Sequence, residues 1–183
     1  MRYRKALGLA APLALLLLAT PLVAQAVPPG AIVVDGDPSE WMAMEVPPII
    51  TDPVGDVSTA GRDVVSLRVI DDGANVYFLY EFAAPPVDAS FLHLDVDTDA
   101  TTGCQIFGVG FEYGIVFLPS RIHDSYIGDA RDCGWSAADF PGHLTAAVGG
   151  TFIEASVPLD TLRLLNPHLT EFDVACSNDR CTP

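Results

Sequence analysis

Positive charge is what this sequence has least of. Nine lysines and arginines stand against 24 aspartates and glutamates, a formal net charge of −15. Three of the nine, Arg2, Arg4 and Lys5, sit at the N-terminus. From residue 27 onward there is no lysine, and six arginines face all 24 acids, a net of −18. Such a surface repels phosphate backbones and anionic lipid, which argues against nucleic-acid and membrane partners. Long apolar runs are absent beyond residue 26, where nothing approaches the roughly 20 residues a spanning helix needs. Catalytic signatures are missing too: there is no G-x-S-x-G, H-E-x-x-H or glycine-rich phosphate loop. The four histidines, His93, His123, His143 and His168, are scattered. Asp124 directly follows His123, but neighbours on a strand face opposite ways and form no dyad. The expectation is a protein that binds rather than catalyses.

What is present begins with an export signal. Arg2, Arg4 and Lys5 precede an almost wholly apolar stretch, Ala6 to Val23, and Ala24-Gln25-Ala26 supplies the small residues of a peptidase site. Residues 1–26 read as a cleaved signal peptide, leaving one domain over 27–183 in a secreted, periplasmic or extracellular setting. Four cysteines, Cys104, Cys133, Cys176 and Cys181, fit that setting as two disulfides. Three connectivities are possible; Cys104–Cys133 with Cys176–Cys181 is the favoured one, and no C-x-x-C spacing supports a metal site instead. Of the 24 acids, 18 are Asp, a residue of turns and oxygen-ligand loops rather than helices.

Strand-like segments recur about every ten residues, the rhythm of an all-β antiparallel β-sandwich. They are Ala31–Val34, Val64–Ile70, Val76–Phe82, Phe91–Asp97, Phe111–Leu118, Arg121–Ile127, His143–Val148, Thr151–Val157 and Phe172–Cys176. Gly149-Gly150 marks a hairpin, because both residues accept positive φ. Pro119-Ser120 is read as the turn of another, and residues 45–63 as an ordered loop. A short helix is expected over Pro158–Leu165, with Leu159, Leu162 and Leu165 on one face. Ser39-Glu40-Trp41 starts a single helical turn, its tryptophan a core plug.

The sharpest local feature is Asp95-Val96-Asp97-Thr98-Asp99-Ala100-Thr101-Thr102-Gly103. On a strand, His93 and Asp95 share one face while Leu92, Leu94 and Val96 point into the core. Three carboxylates within five residues repel one another unless water or a hard, oxygen-seeking cation such as Ca²⁺ offsets the charge, and spacing alone leaves both options open. The loop is not an EF-hand: the sixth and twelfth positions counted from Asp95 are Ala100 and Ile106, not Gly and Glu. A second, sparser acidic group is Asp52, Asp56 and Asp63 around Gly55.

Taken in order, Ile32-Val33-Val34-Asp35-Gly36-Asp37-Pro38-Ser39-Glu40-Trp41, Asp52-Pro53-Val54-Gly55-Asp56, the strand from Asp63 to Ile70 and the segments 71–82, 94–103, 110–117 and 152–162 form a series. It resembles family 9 carbohydrate-binding modules and their DOMON-like relatives, over about residues 31–175. The resemblance implies a jelly-roll-like β-sandwich with structural calcium near the D-x-D-x-x-x-x-T-G loop. Carried onto this chain, the ligand candidates are Asp95, Asp97, Asp99 and Thr102, with Glu112 from the next strand. It also implies carbohydrate recognition on aromatic platforms, for which Trp135, Tyr126 and Tyr113 are the candidates. Glu40 stands where the family often has Asp, and Cys104 with Cys133 is an addition that staples the acidic loop to a later one. Two other readings stand beside this one. The first is an envelope or matrix domain that makes only protein contacts. The second is a DOMON-like haem carrier, for which Met42, Met44 and the scattered histidines show no converging pair.

Overall fold

A computed structural model describes residues 2–5, 26–106, 109–134, 136–137 and 143–177. Its strands are β1 (Arg2–Lys5), β2 (Ile50–Thr51), β3 (Val64–Asp71), β4 (Asn75–Phe82), β5 (Ser90–Asp95), β6 (Cys104–Ile106) and β7 (Val109–Phe111). They continue with β8 (Tyr113–Phe117), β9 (Tyr126–Asp129), β10 (Ser136–Ala137), β11 (Thr145–Gly149), β12 (Phe152–Pro158) and β13 (Glu171–Ser177). Two short helices, α1 (Ser39–Ala43) and α2 (Leu159–Leu165), and a 3-10 segment at Pro119–Asp124 complete the elements. Among the described residues no helix is long and apolar enough to cross a membrane. Most of the predicted export segment lies outside the described residues; the backbone of Arg2–Lys5, paired parallel with β13, and Ala26, bridged to Asp71, are described.

Two sheets carry the fold. One has the order β1-β13-β5-β8-β9-β10, the other β11-β12-β4-β3-β2. Apart from the β1–β13 pair, every strand pair is antiparallel. The main core lies between the sheets: Leu92, Leu94, Ile115, Phe117, Ile127, Phe172 and Val174 meet Leu67, Val69, Val76, Phe78, Tyr80, Ile153 and Val157. Period-two alternation puts these residues on the inner faces, and aromatic pairs bridge the layers. Phe78 meets Phe172 at 6.4 Å and Tyr80 meets Phe117 edge-on at 5.6 Å. The Tyr80 hydroxyl donates to the Phe91 carbonyl of the opposite sheet at 3.1 Å. The expected antiparallel sandwich is what the chain forms.

The outer face of the five-stranded sheet is covered as well. Ile70, Tyr77 and Leu79 pack there beneath Val27, Ile32, Trp41 and Val46. Trp41 is fully buried (0 % exposed), the core plug expected from the sequence. Its indole N–H donates to Glu154 Oε1 at 2.6 Å, while Gly36 N and Asp35 N donate to Glu154 Oε2 at 2.7 and 3.1 Å. A carboxylate buried in mid-strand is tolerated because three donors face it.

That clamp corrects one expectation. Ala31–Val34 is not a strand but an irregular segment over the sheet, and the backbone N–H groups that follow it go to the Glu154 side chain rather than to a ladder. A second correction concerns Arg121–Ile127. Pro119 starts a 3-10 segment through Asp124, the Arg121 N–H bonds back to the Leu118 carbonyl, and only Tyr126–Asp129 pairs with β8. Both hairpins flanking Gly73 and Gly150, and helix α2, stand where the pattern puts them. The third correction shapes the site. The predicted strand Phe111–Leu118 is split at Glu112: β7 turns away to pair with β6, and β8 joins the main sheet.

Candidate metal centre

The β6–β7 hairpin is laid over the outer face of the six-stranded sheet. Phe111 reaches His93 at a ring separation of 4.2 Å, and Cys104, Phe111 and Ala130 form a small apolar cluster there. The Cys104–Cys133 disulfide ties this hairpin to the turn after β9, as the favoured pairing requires. Cys181 and the side chain of Cys176 lie outside the described residues. Covered this way, a face that alternation would leave in water becomes dry. His93 is buried, and burial pushes its imidazole down to about 4, keeping it neutral. Asp95, at the end of β5, is only 2 % exposed.

Glu112 is placed by the switch between hairpin and sheet. Its backbone N–H donates to the Leu94 carbonyl and its own carbonyl accepts from Ala130 N, which turns the side chain toward the end of β5. The carboxylate accepts from Val96 N at 3.2 Å, and the Thr102 hydroxyl lies 3.0 Å from Oε1. Gly103, at φ 61°, brings the loop back. A Cβ there would stand 2.5 Å from Glu112 Oε1 and 2.4 Å from the Phe111 carbonyl oxygen, so only glycine fits.

Asp95, Asp97 and Glu112 each offer a carboxylate oxygen, and these atoms all lie within 4.8 Å of one another. Asp95 Oδ1 is buried with no hydrogen-bond partner. Burial first, then the charge of Glu112, pushes the Asp95 carboxyl up to about 7; Asp173 and Asp97 add to the rise. Burial likewise raises Glu112. The Thr102 oxygen stands 3.0–3.1 Å from four acceptors: both Asp97 oxygens, the Asp99 carbonyl and Glu112 Oε1. A hydroxyl has one proton, so it satisfies one of the four. The remaining lone pairs converge on a small volume, as an oxygen-only donor set for a hard cation does. These residues could hold a metal ion.

Of the five ligand candidates, the fold gathers Asp95, Asp97, Glu112 and the Thr102 hydroxyl. It turns the Asp99 carboxylate aside. Asp99 Oδ1 accepts from Thr101 N and Thr101 Oγ1 at 3.0 and 2.6 Å, which closes a local turn and lowers its proton affinity. Only the Asp99 carbonyl faces the group, through Thr102. One neighbour was not legible in sequence. Asp173 lies directly opposite Asp95 in the β5–β13 register, and only the strand order reveals that.

The aromatic candidates do not converge. Tyr113 packs its half-buried ring against the main core, with the Arg131 guanidinium 5.7 Å from its centroid and Arg131 itself bound to Asp129. Tyr126 is half-buried on β9 beside Val116. Trp135 lies outside the described residues. No protein-family model matches the chain, and no curated protein matches it. The likeness to carbohydrate-binding modules thus rests on the motif series alone.

Proposed function

We propose that this chain is a secreted, non-catalytic recognition domain whose acidic loop is fixed by a structural Ca²⁺ at Asp95, Asp97 and Glu112, with carbohydrate as its ligand class. One observation carries the calcium part: a buried Asp95 oxygen lacks any donor while two further carboxylates and a threonine oxygen crowd toward it. An oxygen-only set of this kind suits a hard divalent ion with flexible coordination, and three carboxylates offer up to six oxygens. The β6–β7 hairpin and its disulfide serve this centre by holding Glu112 against the β5 terminus.

Support for a non-catalytic role comes from the sequence and the surroundings of the group. No nucleophile–base signature occurs in the sequence, and the histidine beside the group is sealed under Phe111. Carbohydrate rests on the ordered motif series and on Tyr126 and Trp135, aromatic side chains of the kind that stack on sugar faces. Pull-down on insoluble polysaccharides and a glycan array, each with calcium and with chelator, test this reading. Calcium-dependent retention that is lost in Trp135→Ala or Tyr126→Ala is the expected result. No retention on any glycan would leave the structural, protein-contact role instead.

A further inference from the structure

Beyond Asp95 and Glu112, the described residues include five buried carboxylates: Asp52, Asp63, Asp71, Asp72 and Glu154. Asp71 accepts from Gly73 N. Glu154 takes three N–H donors. Asp72 takes Ala74 N, Asn75 N and the Tyr77 hydroxyl. Where this chain buries a carboxylate for architecture, donors surround it. Asp52 and Asp63 depart from that pattern. Asp52 is 8 % exposed and neither of its oxygens has a hydrogen-bond partner; Asp63 is 1 % exposed and its Oδ1 has none. Asp63 Oδ2 accepts from Gly55 N at 2.6 Å, and that is its one donor bond in this turn.

The backbone holds both residues rigidly. Asp52 N donates to the Val65 carbonyl within β3, and the Asp63 carbonyl accepts from Ala83 N just after β4. Between them the chain leaves the edge strand β2, turns through Gly55 and Asp56, and returns to β3. The turn carries Asp56 back so that oxygens of Asp52, Asp56 and Asp63 lie within 4.8 Å of one another. Three carboxylates so close, with three buried oxygens lacking donors, are a costly arrangement for a loop that has no other reason to gather them. Arg62, next to Asp63, directs its Nε to Asp88 at 2.6 Å.

We infer that Asp52, Asp56 and Asp63 form a second divalent-cation site of the calcium class, one that pins the β2–β3 connection to the edge of the five-stranded sheet. The site is independent of the Asp95 centre, which belongs to the opposite sheet. Two carboxylates fixed by the sheet and a third delivered by a turn give an oxygen-only cradle, open to solvent on the Asp56 side. Its role is to hold residues 52–63, which otherwise have few backbone bonds to the sheet.

Counting bound calcium by native mass spectrometry on chelator-stripped full chain, with calorimetric titration alongside, tests this site. Asp56→Ala removes the exposed ligand without disturbing a buried position, and Glu112→Gln removes the other centre. Glu112→Gln should retain one ion, and the double variant none. Asp56→Ala should lose that ion whether or not the Asp95 centre binds, so failure of one centre is distinguishable from failure of the other. Trypsin cleavage after Arg62 supplies a second readout: calcium should slow it about tenfold in the parent chain and in Glu112→Gln, but not in Asp56→Ala. An ion count and cleavage rate unchanged by Asp56→Ala would overturn the assignment. So would a Glu112→Gln protein that binds no calcium.

Discussion

Asp95→Asn removes one charge from the metal centre and keeps the side chain's shape, so it separates electrostatics from packing. Asp95 and Glu112 oxygens lie within 4.8 Å. At an effective dielectric constant near 20, two full charges at that distance repel by about 3 kcal/mol. Proton uptake by Asp95, whose carboxyl stands at about 7, relieves part of this, so a gain on the order of 1–2 kcal/mol is expected for the variant in chelator. Calcium reverses the order. An ion at about 100 times its Kd stabilises the parent chain by about 2.7 kcal/mol. For a domain of this size, that is a rise of roughly 5–10 °C in Tm. Thermal unfolding followed by circular dichroism, in excess calcium and in excess chelator, reads both arms. With Asp56→Ala in both proteins, which silences the β2–β3 site, the chain that keeps Asp95 should melt higher in calcium than in chelator; adding Asp95→Asn should bring the two temperatures nearly together, above that chain in chelator and below it in calcium. Equal losses in the two buffers would refute the reasoning, since that is the mark of a lost packing contact.

Other consequences follow from the surrounding structure. Trp41→Phe keeps the plug but removes a donor from buried Glu154, and should cost about 1–3 kcal/mol by urea unfolding, with no dependence on calcium. Reducing Cys104–Cys133, which closes a separation of 29 residues, should cost about 3–4 kcal/mol. It should also weaken calcium binding measured by calorimetry, because Glu112 follows the stapled hairpin. The Tyr77 hydroxyl, desolvated and donating to Asp72, is pushed up to about 12. A raised acid stabilises the fold fully below its unfolded value near 10 and loses that contribution as pH climbs through 12. Urea midpoints should therefore fall across that window in the parent and fall less in Tyr77→Phe. Asp72 is the opposite case. Although burial opposes it, donors from Asn75, Ala74 and Tyr77 hold its carboxyl below the ordinary value. Its contribution is present above about 4 and lost as pH falls through its folded value, so Asp72→Asn should flatten the acid limb of the same midpoints.

Local chemistry was legible in the sequence wherever a residue's neighbours in the chain decide its fate. Leu92, Leu94 and Val96 point into the core because alternation requires it, and Gly149-Gly150 turns where two glycines permit it. The D-x-D loop announced a crowd of carboxylates. What the sequence could not convey was the second layer. His93 and Asp95 lie on the face that alternation assigns to solvent, and they are dry because the paired strands β6 and β7 lie over them. Asp173 reaches Asp95 through strand order, a long-range property. Ala31–Val34 has the composition of a strand, yet a buried glutamate 118 residues away from Gly36 takes the following backbone donors. The family resemblance puts Asp99 in the ligand set, whereas Thr101, two residues on, gives its carboxylate two donors.

Anomalous diffraction from crystals grown in calcium tests the central claim most directly. A peak 2.3–2.6 Å from oxygens of Asp95, Asp97 and Glu112, the range calcium–oxygen bonds take, is the predicted result. Carboxylates separated by ordered water, with no peak between them at saturating calcium, would contradict it.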